Sequence, residues 1–268
     1  MTRALANIAI ILVLFGQAVP PAAAQSSQAT PQTDPQAVLG PLFERFKSPR
    51  WHERANAFRS LLVLGGDHDM AFVPRPLHLT LARFGREANQ IHVALIALLA
   101  RENAAVALPP NPPGHWGEDY MNYYGDLIEA VGVLGDPRAI DALAGAVATG
   151  GDATDPLASF GSAAVPALAR RIRHGDVVTR NACLGALITM LEPIYRPMVT
   201  PAGFAEISKI LIAEAHDENT QVRAAAVWGI GQTGDRAGCE QVDAAAKDNS
   251  EVVRRAAAAA SAQLHCGR

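Results

Sequence analysis

The chain has 268 residues, 49% of them hydrophobic but only 6% aromatic, and a formal net charge of −3. An interior built from alanine, leucine and valine favours closely packed helices over a β-sandwich, which draws on β-branched and aromatic residues. The charge balance excludes the nucleic-acid-binding class, because neutralising phosphates needs a basic stripe.

Residues 1–24 read as a secretory signal peptide. Arg3 precedes an apolar run over 8–15, and small residues follow, with Ala22 and Ala24 placed before Gln25 as a cleavage site requires. The run is shorter than the ~20 residues of a membrane-spanning helix, so cleavage is expected rather than anchoring. No cysteine follows the cut to carry a lipid, and no second long apolar run exists. The mature chain is therefore expected to have no membrane span and to be periplasmic or secreted. Residues 25–37, QSSQATPQTDPQA, are polar and aperiodic, which predicts a disordered lead-in.

From residue 38 onward the apolar periodicity is helical. A first helix pair is predicted over 38–67 and a second over 72–103, containing LHLTLARFG and ANQIHVALIALLARE. An insert at about 104–119 follows. Within it, Pro109, Pro110, Pro112 and Pro113 forbid a helix and favour extended geometry. Helical spacing resumes at Tyr120, Tyr123, Tyr124, Leu127 and Ile128 and runs to about residue 134. The remaining pairs are predicted at 139–149 with 156–160, at 164–174 with 179–191, at 204–216 continuing to 230, and over 237–264. Pro74, Pro76, Pro137, Pro156 and Pro166 fall where helices begin.

These elements repeat. DENTQVRAAAVWGIGQTGD from Asp217 is followed by DNSEVVRRAAAAASAQL from Asp248, and Gly132-x-x-Gly135-Asp136 recurs as Gly231-x-x-Gly234-Asp235. A further Arg-Ala-rich helix ending in Gly-Asp lies at 52–67. Periods of ~30–45 residues built from two helices indicate a solenoid. In one unit Val222, Ala225, Ala226 and Ile230 form the apolar stripe, Gly231 and Gly234 are expected to end the helix, and Asp235 to cap the next. The prediction is an all-α α-solenoid of about six antiparallel pairs over 38–268.

The Asp…Val-Arg-Ala-Ala-Ala and Gly-x-x-Gly-Asp patterns resemble bacterial HEAT repeats of the phycobilisome-lyase-like type. The resemblance implies that the second helix of each pair lines the concave face, and that an Asp before it and an Arg within it bond between repeats. By position these are Asp176 with Arg180, Asp217 with Arg223 and Asp248 with Arg254, expected to form a structural ladder. The chain is also similar in fold class to deoxyhypusine hydroxylase, which holds iron with several His-Glu pairs. Only His52-Glu53 is present here, so no metal site is expected. His68, between Asp67 and Asp69, has no partner histidine placed by the sequence.

Other chemistry-bearing patterns are absent or explained. GIGQTG at 229–234 matches a dinucleotide fingerprint, but it lies at a helix end instead of between a strand and a helix. There is no C-x-x-C, G-x-S-x-G or Walker loop, and no catalytic or cofactor-binding residues are assigned. Cys183 is expected inside a helix. Cys239 and Cys266 lie near the same end of the last pair, and an oxidising compartment would favour a bridge between them.

The stretch PPNPPGHWGEDYMNYYGD at 109–126 leaves two readings open. Trp116, Tyr120, Tyr123 and Tyr124 either cover an exposed repeat edge or serve as recognition anchors for a protein or peptide. In the second case Glu118 and Asp119 would favour a cationic partner, and Trp228, off the main stripe of its helix, would join the surface. The expected function is an exported, non-enzymatic binding scaffold. The alternative is a HEAT-repeat lyase- or hydroxylase-like enzyme or accessory subunit, and self-association is a third reading.

Overall fold

The computed structural model describes residues 34–66, 73–106, 117–149 and 152–267. The signal peptide, nearly all of the lead-in, His68 and Trp116 lie outside the described residues. Residues 35–268 form one compact unit. Thirteen α-helices and four short 3-10 turns occur among the described residues, with no strand.

The helices, in chain order, are α1 (Pro35–Arg45), α2 (Trp51–Val63), α3 (Pro74–Arg83), α4 (Ala88–Val106), α5 (Glu118–Val133), α6 (Ile140–Ala148) and α7 (Thr154–Ala158). They continue as α8 (Val165–His174), α9 (Val177–Thr189), α10 (Pro201–Glu214), α11 (Thr220–Thr233), α12 (Cys239–Ala245) and α13 (Glu251–Leu264). The pairs are α1–α2, α4–α5, α6–α7, α8–α9, α10–α11 and α12–α13. First helices α4, α6, α8 and α10 pack side by side in one layer. Second helices α5, α7, α9, α11 and α13 form the other, with α2 beside α5. The architecture is an α-solenoid.

Two boundaries shift from the sequence expectation. Helix α4 continues to Val106 and α5 begins at Glu118, so the ends of the expected insert at 104–119 are helical. Helix α3 is not the first member of the second pair. It packs against α2 and α5, where the buried Thr80 hydroxyl donates to the Leu61 and Leu62 carbonyls at 3.0 and 2.9 Å. The main partner of α4 is α5, whose tyrosines reach polar groups on α4.

Helix α11 shows how the sequence builds one element. The Asn219 side chain accepts from the Gln221 and Val222 amides at 2.9 and 3.3 Å, satisfying donors the first turn leaves unpaired. Val222, Ala226 and Ile230 are buried against neighbouring helices. Gly234 ends the helix in the left-handed conformation at φ 67°, and the Asp235 carboxylate then accepts from the Ala237 amide at 2.9 Å. Gly231 has a different role from the cap expected of it. It lies inside the helix, where an added Cβ would come within 2.8 Å of Ala260 Cα on α13. The missing side chain lets the two backbones approach. Gly231→Ala is expected to lower stability by about 1–3 kcal/mol through overpacking, read by urea unfolding. A neutral result would mean that α13 shifts freely.

The Asp–Arg ladder joins one pair to the next. Arg180 Nη2 meets Asp217 Oδ1 at 3.1 Å, and Arg223 meets Asp248 at 2.9 and 3.0 Å. Each arginine thus reaches the aspartate of the following pair, not the one preceding its own helix. Meanwhile Arg223 Nη1 donates to the Asp217 and Glu218 carbonyls, and Arg254 Nη1 donates likewise to those of Asp248 and Asn249. One guanidinium therefore ties its own inter-helix turn to the next. Asp176 stands outside the ladder. It caps α9 by accepting from the Thr179 amide at 2.8 Å, and that bond holds its carboxyl below the usual range.

At the end of α13, His265 adopts a left-handed conformation at φ 56° and turns the chain back toward α12. Cys239 and Cys266 are disulfide-bonded there, with Cα atoms 5.5 Å apart. Cys183 is buried in α9, and burial pushes its thiol up to about 11, which suppresses the reactive thiolate.

Candidate functional site

The three tyrosines of α5 are not surface anchors. Tyr120, Tyr123 and Tyr124 are at most 1% exposed. Their spacing points all three toward α4, where Glu102 is 0% exposed. Tyr120 and Tyr123 hydroxyls donate to Glu102 at 2.9 and 3.0 Å. Arg54 on α2 forks onto the same carboxylate, its Nη2 at 2.7 Å from Oε2 and its Nε bonded to Oε1. A third Arg54 nitrogen holds the Ser48 and Pro49 carbonyls at 2.9 and 3.2 Å. Arg54 thus repeats the ladder arginine's work, with Glu102 as the acid across the joint.

Tyr124 donates to Asn103 Oδ1 at 2.6 Å, and Asn103 Nδ2 donates to the Ala142 carbonyl at 2.7 Å, carrying the network to α6. Trp51 stands edge-on to Tyr120, with ring centroids 5.2 Å apart. Burial, reinforced by the Glu102 charge, raises the Tyr120 and Tyr123 phenols well above their ordinary value of 10.0 and keeps them neutral donors. A tyrosine hydroxyl is buried only with a partner, and here each has one. This cluster is the internal joint linking α2, α4, α5 and α6. Glu118 and Asp119 are exposed in the first turn of α5, where their charge complements the helix dipole.

Trp228 is placed differently. It is 44% exposed on α11 and lines an open cavity of about 580 Å³ on the second-helix layer. The walls come from Asp152 and Thr154 at the start of α7, from Asn181, Gly185 and Thr189 on α9, and from Glu192 just beyond it. None of the α5 tyrosines borders this cavity, so the structure separates Trp228 from the residues grouped with it by sequence. Asp152, Asn181 and Glu192 are exposed. Among the described residues the lining contains two carboxylates and no cation.

Two other concavities lie on the first-helix layer. One, of about 830 Å³, spans α4, α6 and α8, and its Arg170 is paired with Asp141 at 2.5 Å. The other, of about 570 Å³, is an apolar groove between α1 and α4 lined by Phe43, Phe46, Val93 and Leu98. Among the described residues no three His, Cys, Asp or Glu side chains converge as a metal site would require.

Sequence reading missed Glu102 and Arg54. A signal for Glu102 was present: in ANQIHVALIALLARENAAV it continues the helical stripe of Leu95, Leu98 and Leu99. An acid on an apolar stripe needs a buried partner.

A family of HEAT repeats matches residues 208–265, which run from within α10 to the end of α13. No curated protein matches the chain significantly. Among solved structures, a computationally designed armadillo repeat protein for modular peptide recognition is 15% identical, covering 84% of this chain and 99% of that one, at a TM-score of 0.43. A designed armadillo repeat protein in complex with the peptide (KR)4 is 14% identical with the same coverages, at a TM-score of 0.41. Residues 208–265 are HEAT-like repeats.

Proposed function

We propose that this chain is an exported, non-catalytic scaffold that docks a protein or peptide partner on its second-helix layer around Trp228. The observation that carries the reading is the exposed indole in an open cavity, on a face built from successive rigid helices. Trp is among the residues that dominate binding energy when a partner covers them, because it supplies a large contact area with few rotors to freeze. A solenoid presents that area already ordered, so little of the binding energy is lost to ordering. Export follows from the signal-peptide pattern of residues 1–24. No described helix is long and apolar enough to cross a membrane.

The test is affinity capture from an envelope extract with two baits, the chain from Gln25 and the same chain carrying Trp228→Ser. Trp228 is exposed, so the substitution is expected to leave the thermal midpoint nearly unchanged. A partner held by the first bait and lost by the second is the expected result. Equal capture by both baits would contradict docking at this face.

A further inference from the structure

We infer that the cavity beside Trp228 is a slot for one guanidinium or ammonium side chain, delivered by an extended peptide segment. This deepens the docking reading above and rests on it.

The shape of the slot comes from a glycine. Gly185 and Trp228 occupy the same place on neighbouring second helices, each five residues beyond its ladder arginine, Arg180 and Arg223. An added Cβ at Gly185 would meet nothing within 4 Å, so the space beside the indole is open. Glycine inside a helix is disfavoured by ~1 kcal/mol relative to alanine, and no close backbone approach requires it here. The cavity opens onto the layer surface, so a side chain can enter while its backbone stays outside.

The charge of the slot is one-sided. Among the described residues, Asp152 and Glu192 are its only charged lining residues. Neither makes an ion pair among the described residues, so an incoming cation displaces no internal one. On α5, the Gly-x-x-Gly-Asp register sets Glu129 where α11 has Trp228, and Glu129 is exposed. In that series α2 carries Arg59, whose charge acts on Asp126. A cation over an indole face gains ~0.5–2 kcal/mol, more as water is excluded. Two nearby carboxylates add attraction and orientation. Asn181 and Thr189 on the slot wall offer an amide and a hydroxyl to an extended backbone, whose own hydrogen bonds are unmade.

The test uses fluorescein-labelled octapeptides, (Arg-Ser)4 and its Gln, Glu and Leu counterparts, titrated into the full mature chain by anisotropy. Three variants accompany it: Trp228→Ala, Gly185→Leu, and Asp152→Asn with Glu192→Gln. Gly185→Leu fills the slot while improving helix propensity, so a loss there cannot be blamed on unfolding. The expected result is binding of the Arg peptide, weakened about tenfold by each variant, with no measurable binding of the Gln or Glu peptides. If the Leu peptide binds as tightly as the Arg peptide and depends equally on Trp228, docking stands and the cation assignment is overturned. Arg-peptide binding indifferent to all three variants would place it elsewhere on this acidic chain and overturn the slot. If no peptide binds while Trp228→Ser still loses its captured partner, the peptide class is overturned and the docking face is kept.

Discussion

Glu102→Ala is expected to cost about 3–5 kcal/mol of stability, a large share of what a domain has. The substitution leaves Arg54, 4% exposed, without its counter-charge, and strips the acceptor from two buried tyrosine hydroxyls. Each unsatisfied hydroxyl alone costs about 1–3 kcal/mol. Because solenoid pairs support only their neighbours, the loss should be uneven. The α1–α2 pair meets the rest through this joint and through α3, which packs on both α2 and α5, so α1 to α3 should detach first, giving a two-step urea transition by circular dichroism. Replacing both charges by Arg54→Met with Glu102→Leu should cost less than the single change, since no charge is left buried and unpaired, although the Tyr120 and Tyr123 hydroxyls still lose their acceptor. A single change costing under ~1 kcal/mol would mean that water reaches the site and the joint is loose.

Removing the disulfide is the second large effect. Cys239→Ser with Cys266→Ser should lower stability by about 3.5 kcal/mol, from the loop entropy released to the unfolded chain. The bond closes a sequence separation of 27 residues within the α12–α13 pair. Among the described residues that pair packs mainly on α11, and Val252 on α13 is 49% exposed. The destabilisation should therefore concentrate there. Hydrogen exchange is expected to lose protection in α12 and α13 before α8–α11. Free thiols at both positions in the oxidised protein, read by mass spectrometry, would contradict the bridge.

The helix pairs were legible because their signals are local: a 3.6-residue stripe, a cap, a glycine, a proline at the first turn. Trp228 was legible for the same reason, since it stands off the stripe of Val222, Ala226 and Ile230. What failed were partnerships across long separations. The resemblance to HEAT repeats gave Arg180 and Arg223 a ladder role, but the choice of the following pair's aspartate is made by layer stacking. Tyr120, Tyr123 and Tyr124 could be read either as a cover over a repeat edge or as recognition anchors, because a tyrosine suits an interface and a core equally. Their burial is decided by Glu102 and Asn103 on the preceding helix. Gly231 was taken for a terminator because its role depends on how near α13 comes, which no local pattern encodes.

The chain has three tryptophans, Trp51, Trp116 and Trp228, so 5-fluorotryptophan labelling gives three fluorine NMR signals, assignable by single Trp→Phe changes. Titration with the (Arg-Ser)4 peptide should move the Trp228 signal to saturation and leave Trp51, packed in the tyrosine joint, unmoved. A Trp228 signal that stays silent while the peptide binds, whether or not the Trp116 signal moves, would contradict the slot described here.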